Sequence, residues 1–243
     1  MPLVTAFDST RSRFVGSVLA AMLAGCTTVP FIEPGPDWIP LESSSVLIVP
    51  PDSRLSRLTT GGMPEPRADW SNEARAHLRD GLARSVASRG VSVVSYPARG
   101  NVVPWRPEDA SLVRLHEAVG DAILASVLLP TQQSRRPHLD YGLGDAVRQL
   151  HDDFGADFAL FVYCNATYAG GGRVALGVLA ALGGVVTDIG ALTGFASLVD
   201  LRDGKVIWFR QLVPRGTLLG SADPRTPEGA DVLAELLLKE MPL

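Results

Sequence analysis

The sequence predicts an α/β fold: a single domain with a mixed sheet of about five strands flanked by helices. Helical and strand periodicities alternate along the chain, and residues 154–213 contain a continuous apolar run followed by a hairpin pattern. In addition, 46% of the 243 residues are hydrophobic, which is enough for a substantial core. The expected order is β-α-β-α-α-β-β-β-α, with an apolar, Gly-rich insertion between the third and fourth strands.

The first predicted strand is the apolar, β-branched run Val46 to Val49, which stops at Pro50-Pro51. A long loop is expected after it, because Gly61-Gly62 and Pro64-Glu65-Pro66 disfavour regular structure.

A helix is predicted over residues 72–89, with Ser71 as its cap. Apolar residues recur every four positions in it, at Ala74, Leu78, Leu82 and Val86. Gly90 suits the left-handed position after the helix, and Val91 to Tyr96 forms the second strand. Strand, helix and strand then form one crossover unit with parallel pairing.

Three further helices are predicted from apolar stripes and caps. Pro107 opens the second helix, whose expected inward stripe is Leu112, Leu115, Val119, Ile123 and Val127. The third helix runs from about Leu143 to Phe154 and ends at Gly155. The last helix begins with Thr226 as cap and Pro227 in the first turn.

The central strand is predicted at Asp157 to Tyr168, because both of its alternating faces are apolar at first. Phe195 to Leu201 and Val206 to Val213 follow as the last two strands. They flank Asp203-Gly204, which suits the positive φ angles of a tight hairpin turn.

The insertion, Val174 to Leu192, has Thr187 and Asp188 as its only clearly polar residues. The aspartate and the glycines disfavour a membrane crossing, and the segment lacks the alternation of a membrane β-hairpin. A covered apolar segment or a surface that buries against a partner fits better. The predicted partner or oligomer surface comprises Val174, Val178, Leu179, Leu182, Val185, Val186 and Ile189.

The amino terminus has the pattern of a secretory signal, with Arg11 and Arg13 before the short apolar run Phe14 to Ala24. The run ends in Leu23-Ala24-Gly25-Cys26, which resembles the bacterial lipobox. The resemblance implies cleavage before Cys26, acylation of its thiol and stable anchoring to a membrane. An ordinary signal peptide, or a buried helix with an incidental cysteine, is the alternative.

The expected organisation is therefore a signal peptide (1–25), a Pro-rich tether (26–44) and a periplasmic α/β domain (45–241). Thr27 after the cysteine favours the outer membrane, since an Asp there is the inner-membrane retention residue in enterobacteria. Cys164 is then the only other thiol, so no intrachain disulfide is expected. The net charge of −4 does not suggest a nucleic-acid partner.

No catalytic residue, metal site or cofactor is predicted. His77, His116, His138 and His151 lack the spacing of a metal site and are expected to be exposed. The run Ala169-Gly170-Gly171-Gly172-Arg173 lacks the ending of a nucleotide-binding loop, so a flexible segment is expected there.

Three stretches carry a further resemblance: Val46 to Pro51, Phe154 to Leu160 and Ala196 to Phe209. They resemble proteobacterial envelope lipoproteins related to the curli-export channel subunit and to the amino-terminal domain of the TolB translocation protein. The resemblance implies a periplasmic domain that works by oligomerisation or partner contact.

Three functions follow from these observations. The first is a non-enzymatic accessory or scaffold lipoprotein of the outer membrane, acting in envelope export or cell-wall assembly through other envelope proteins or self-association. The second is an oligomeric export channel subunit. The third is a periplasmic metal-dependent hydrolase, which activity lost on mutating His151 and Asp152 would support.

Overall fold

The computed structural model describes residues 44–97, 105–128, 141–182, 184, 190–212 and 221–242. It confirms the α/β class, with helices on both faces of one mixed sheet. The strands of the described part are β1 Ser45–Ile48, β2 Asp52–Leu58, β3 Pro64–Pro66, β4 Ser92–Ser95, β5 Phe158–Ala169, β6 Gly190–Asp200 and β7 Val206–Leu212. The helices are α1 Ala68–Ser88, α2 Asp109–Leu128, α3 Arg148–Phe154, α4 Gly171–Leu182 and α5 Pro227–Leu238, with a 3-10 turn, Asp145–Val147, before α3.

β5 is the central strand, as predicted. It is antiparallel to β6 from Phe158 to Tyr168, and on its other side it is parallel to β1 and then to β2. Leu160 lies in the core on one face and Phe161 in the core on the other, both essentially inaccessible to water. The longest strand therefore joins the two halves of the hydrophobic core.

β1 and β2 are one long strand interrupted at Pro50-Pro51. Paired residues differ by 112 positions between β1 and β5 but by 111 between β2 and β5, so one extra residue bulges out at the interruption. Beyond it the chain bonds to different neighbours, because β1 pairs with β4 whereas β2 pairs with β3. The two prolines thus divide this side of the sheet into two arms.

Two side chains hold the carbonyl groups of this interruption. The Trp105 indole donates a hydrogen bond to the Pro50 oxygen at 2.7 Å, and the Arg75 guanidinium donates one to the Pro51 oxygen at 3.1 Å. The guanidinium also lies 4.4 Å from the centre of the Trp105 ring. The two proline carbonyl groups at the interruption therefore have side-chain hydrogen-bond donors.

The prediction of a loop after β1 was wrong for most of its length, because residues 52–58 form β2 and residues 64–66 form β3. Leu55 and Leu58 of β2 are buried, while the intervening Arg57 points outward and pairs with Glu65 of β3. Among the described strands, β3 bonds only to β2, so its prolines lie on an edge strand, where a missing N–H group is tolerated.

The predicted cap of the first helix was also wrong. α1 begins at Ala68, and Ser71 lies inside its first turn. The Ser71 hydroxyl donates to the Arg67 oxygen at 2.8 Å and accepts from the Leu55 N–H at 3.0 Å, so it fastens the helix to β2. The other predictions for this unit are confirmed: Gly90 has a φ of 84°, and β4 runs parallel to β1.

Each face of the sheet is covered by a pair of helices. The first face is covered by α1 and α5, whose inward side chains include Leu78, Leu82, Leu233 and Leu237. The second face is covered by α2 and by the segment around α3, which contribute Leu112, Ile123, Val147 and Leu150. The predicted stripe of α2 was wrong at Leu115, which is 41% exposed.

The close approach of α2 to the sheet explains this error. Gly120 lies directly against the Phe195 ring, leaving no room for a Cβ atom. Gly120 and His116 therefore form the inner face of the helix, and Leu115 is turned towards solvent.

Two local features predicted from the sequence, a glycine in a turn and a helix cap, are present in the second half of the fold. Gly204 has a φ of 77° in the turn between β6 and β7, although Asp203 does not share a positive φ. Thr226 caps α5 by accepting a hydrogen bond from the Gly229 N–H at 3.1 Å.

Leu160→Ala should lower the free energy of unfolding by roughly 2–5 kcal/mol, because a fully buried side chain would leave a cavity. Urea denaturation of the purified protein measures this change. Leu115→Ala is the matched control, since Leu115 is partly exposed and its truncation should cost far less. Equal losses for the two variants would contradict the central position of β5.

Candidate functional site

α4 closes the longest hairpin of the sheet. β5 and β6 remain paired as far as Tyr168 and Gly190, and α4 lies in the segment between these two residues. The Gly170 N–H donates to the Leu58 oxygen at 3.0 Å, and the Arg173 and Val174 N–H groups then bond to the Gly170 oxygen. The predicted flexible glycine run is therefore the beginning of a helix that is fixed to the end of β2.

No residue of α4 is buried. Every residue from Val174 to Leu182 is apolar, and the exposed fraction rises from 47% at Val174 to 59% at Val178 and 83% at Leu182. A helix that is apolar on all sides is normally covered by protein or by lipid. α4 therefore adds nothing to the core and presents its side chains outward.

The turn between β2 and β3 extends this surface. Gly62 lies so close to the Arg173 guanidinium that a Cβ atom would come within 2.8 Å of it, and the neighbouring Met63 is 70% exposed. Of the eight large apolar side chains exposed in the described residues, six are at this end of the molecule. We call them the apolar end: Met63, Val174, Leu176, Val178, Leu179 and Leu182.

The structure places part of the predicted partner surface in the apolar end. Val174, Val178, Leu179 and Leu182 are exposed on α4, whereas Val185, Val186 and Ile189 lie outside the described residues. Sequence reasoning missed Leu176 and Met63. The absence of any polar residue from Val174 to Leu182 would have indicated Leu176, and an apolar side chain after Gly61-Gly62 would have indicated Met63.

A cluster of arginine and aromatic side chains lies below the apolar end, near the last residues of β5. The Arg67 and Arg225 guanidinium groups lie 4.5 Å and 4.6 Å from the centre of the Trp70 ring. Arg225 also lies 3.7 Å from the centre of the Tyr168 ring, which meets Trp70 edge to face. We call these four residues the Arg-Trp belt.

Among the described residues, no helix is both long enough and apolar enough to cross a membrane. The lipobox residues Leu23, Ala24, Gly25 and Cys26 lie outside the described residues, as does the tether up to residue 43. The lipid anchor therefore stays a prediction from the sequence.

The histidines are placed differently from one another. His116 is buried, against the prediction, and its Nε2 atom lies 2.9 Å from the Ser197 hydroxyl. His151 is exposed, with its Nδ1 atom 2.7 Å from the Ala156 oxygen, and His138 lies outside the described residues. Within the described ranges, no three His, Cys, Asp or Glu side chains are close enough to hold a metal ion.

Cys164 is a buried thiol in β5, as predicted. Burial, together with the nearby Asp52 carboxylate, raises the pKa of this thiol to about 12. The reactive thiolate is therefore scarce at neutral pH.

Comparisons with known proteins are weak. No protein-family model matches the chain, and no curated protein is significantly similar to it. The lipoprotein GNA1162 from Neisseria meningitidis is 16% identical over 72% of this chain and 82% of its own length, with a TM-score of 0.31. The PelC dodecamer from Paraburkholderia phytofirmans is 13% identical over 86% and 96%, with a TM-score of 0.35. TM-scores this low support no inference about function.

The burial of His116 should make folding stability depend on pH. Burial lowers the pKa of His116 from 6.5 to about 3, so between these values the unfolded chain binds a proton that the folded chain does not. Stability should therefore fall as the pH is lowered from about 6.5 towards 3, by up to ~1.4 kcal/mol per pH unit.

Urea denaturation of the protein and of His116→Gln between pH 7 and pH 4 measures this effect. The variant should show a shallower pH dependence, whatever its stability at pH 7. If the stability of the two proteins changes equally with pH, His116 is not a neutral, buried histidine in the folded protein.

Proposed function

We propose that this protein is a non-enzymatic lipoprotein, anchored to the periplasmic face of the outer membrane by acyl chains on Cys26. It acts as an accessory or scaffold in envelope export or cell-wall assembly, through contacts with other envelope proteins or with further copies of itself. The observation that supports a binding role is the apolar end, which concentrates most of the large exposed apolar side chains in one place.

The fold itself does not need this surface. Both core clusters are formed by the sheet and by the other helices, without a side chain from α4. Contiguous apolar surface on a folded domain marks sites of protein or membrane contact. The apolar end is therefore best explained as a surface that is covered when the protein is at work.

The sequence supports the location. Charge, apolar length and the motif Leu23-Ala24-Gly25-Cys26 occur in the order of a lipoprotein signal, and a Pro-rich tether follows. One acyl chain anchors weakly, whereas two or more hold a protein stably on a membrane.

An oligomeric export channel subunit is the second candidate. The side chains of α4 are exposed around most of the helix, while Arg173, Gly177 and Ala180 are half-buried on one side. A single flat partner would cover only part of the exposed surface. In an oligomer, the α4 helices of several copies could pack together and cover more of this surface.

Cys26→Ser should abolish fatty-acid incorporation and leave a soluble or signal-retaining form, because the lipobox offers one acyl acceptor. Metabolic labelling with an alkyne fatty acid measures incorporation. Cys164→Ser is the matched control and should retain the label, since Cys164 is buried. Label that persists on Cys26→Ser would contradict the lipoprotein proposal.

Val178→Asp and Leu182→Asp should weaken complexes that are captured by crosslinking the lipidated protein in membranes. Both side chains are exposed, so the unfolding transition should change little. Leu115→Asp, on the exposed side of α2, introduces the same charge away from the apolar end and should leave the complexes intact. If crosslinking captures equal amounts of complex from all three variants, the apolar end does not contact the partner.

A further inference from the structure

We infer that α4 is an interfacial helix that lies in the lipid leaflet to which Cys26 is attached. The inference rests on the lipid anchor of the proposed function and adds what covers the apolar end. The contacts with envelope proteins would then be made at the plane of the membrane.

The first argument is the distribution of apolar side chains around α4. Leu176 and Val178 are two residues apart and point about 200° away from each other, and both are exposed. A flat protein surface would cover one of them and leave the other in water. Acyl chains can cover both, since they reach around the exposed part of the helix while Arg173, Gly177 and Ala180 remain half-buried on the side of the domain.

The second argument is the length of the helix. Its twelve residues extend over about 18 Å, compared with about 30 Å for the hydrocarbon core of a bilayer. α4 is therefore too short to span the membrane but long enough to lie within one leaflet.

The third argument is the Arg-Trp belt. Tyr168 lies three residues before α4 begins, and it is in contact with Arg225, which also stacks on Trp70 together with Arg67. Tryptophan, tyrosine and arginine with polar tips and apolar bodies are typical of the headgroup region. With α4 in the acyl chains, the half-exposed Arg67, Trp70 and Arg225 lie at this level, whereas Tyr168 is buried and supports them from the core.

The fourth argument is the reach of the tether. Ser45 and Phe158 lie at one end of the sheet, whereas α4 follows the far end of β5, about 40 Å away for a twelve-residue strand. Seventeen residues separate Cys26 from Ser44, and an extended Pro-rich segment covers about 3.1 Å per residue, or roughly 53 Å. The tether is thus long enough to return along the domain while α4 rests on the same leaflet.

The test uses the full lipidated chain in vesicles that contain brominated phospholipids, at no more than one protein molecule per vesicle. Leu176→Cys and Val178→Cys are labelled separately with an environment-sensitive fluorophore. Val232→Cys, on the exposed side of α5, is the matched control. Cys164 is buried and has a raised pKa, so it does not compete for the label.

Brominated acyl chains should quench the fluorophore at both α4 positions and leave the control position unchanged. Emission typical of water at either α4 position would overturn the inference. Shielded emission that bromine does not quench would also overturn it, because a protein surface would then cover the helix.

Failure of the anchor gives a different result. If mass spectrometry finds no acyl group on Cys26, the proposed function fails, and quenching at the α4 positions on added vesicles still decides whether the helix enters lipid.

Discussion

The interruption of the first strand at Pro50-Pro51 is the constraint on which the rest of the fold depends. A proline pair cannot donate to the strand ladder, so the strand bulges and changes neighbours there. Trp105 and Arg75, which contact each other, each donate a hydrogen bond to one of the two freed carbonyl groups. The arm formed after the interruption ends at Leu58, whose oxygen accepts the hydrogen bond that fixes the beginning of α4. The proline pair therefore also sets the position of the apolar end.

Elements with a strong and uninterrupted pattern could be predicted from the sequence. β5 has two apolar faces, and Thr226-Pro227 starts α5 with a cap whose hydrogen bond depends only on neighbouring residues. β2 was missed because its alternation is short and Arg57 interrupts the apolar pattern. β3 was missed because its prolines are compatible only with an edge position, and edge position depends on the whole sheet.

The errors in the prediction of α2 arise from a tertiary contact. Leu112, Leu115 and Val119 form a plausible stripe in isolation, yet the approach of Gly120 to Phe195 decides which side of the helix faces the sheet. His116 is buried as a consequence, although its sequence context suggests exposure. The apolar insertion was recognised from its composition, but a sequence pattern does not distinguish an apolar helix that the domain covers from one that it leaves open.

The described core does not depend on α4. The two core clusters are complete without α4, so changes at Val178 or Leu182 affect little of what holds the sheet together. An apolar helix with this much exposed surface would promote aggregation of a freely diffusing protein. Under the proposed function, an acyl anchor on Cys26 would hold Ser44, where the described domain begins, within roughly 53 Å of a lipid surface. The proposed acyl anchor would therefore make the exposed helix tolerable, because it would keep the helix close to a surface that can cover it.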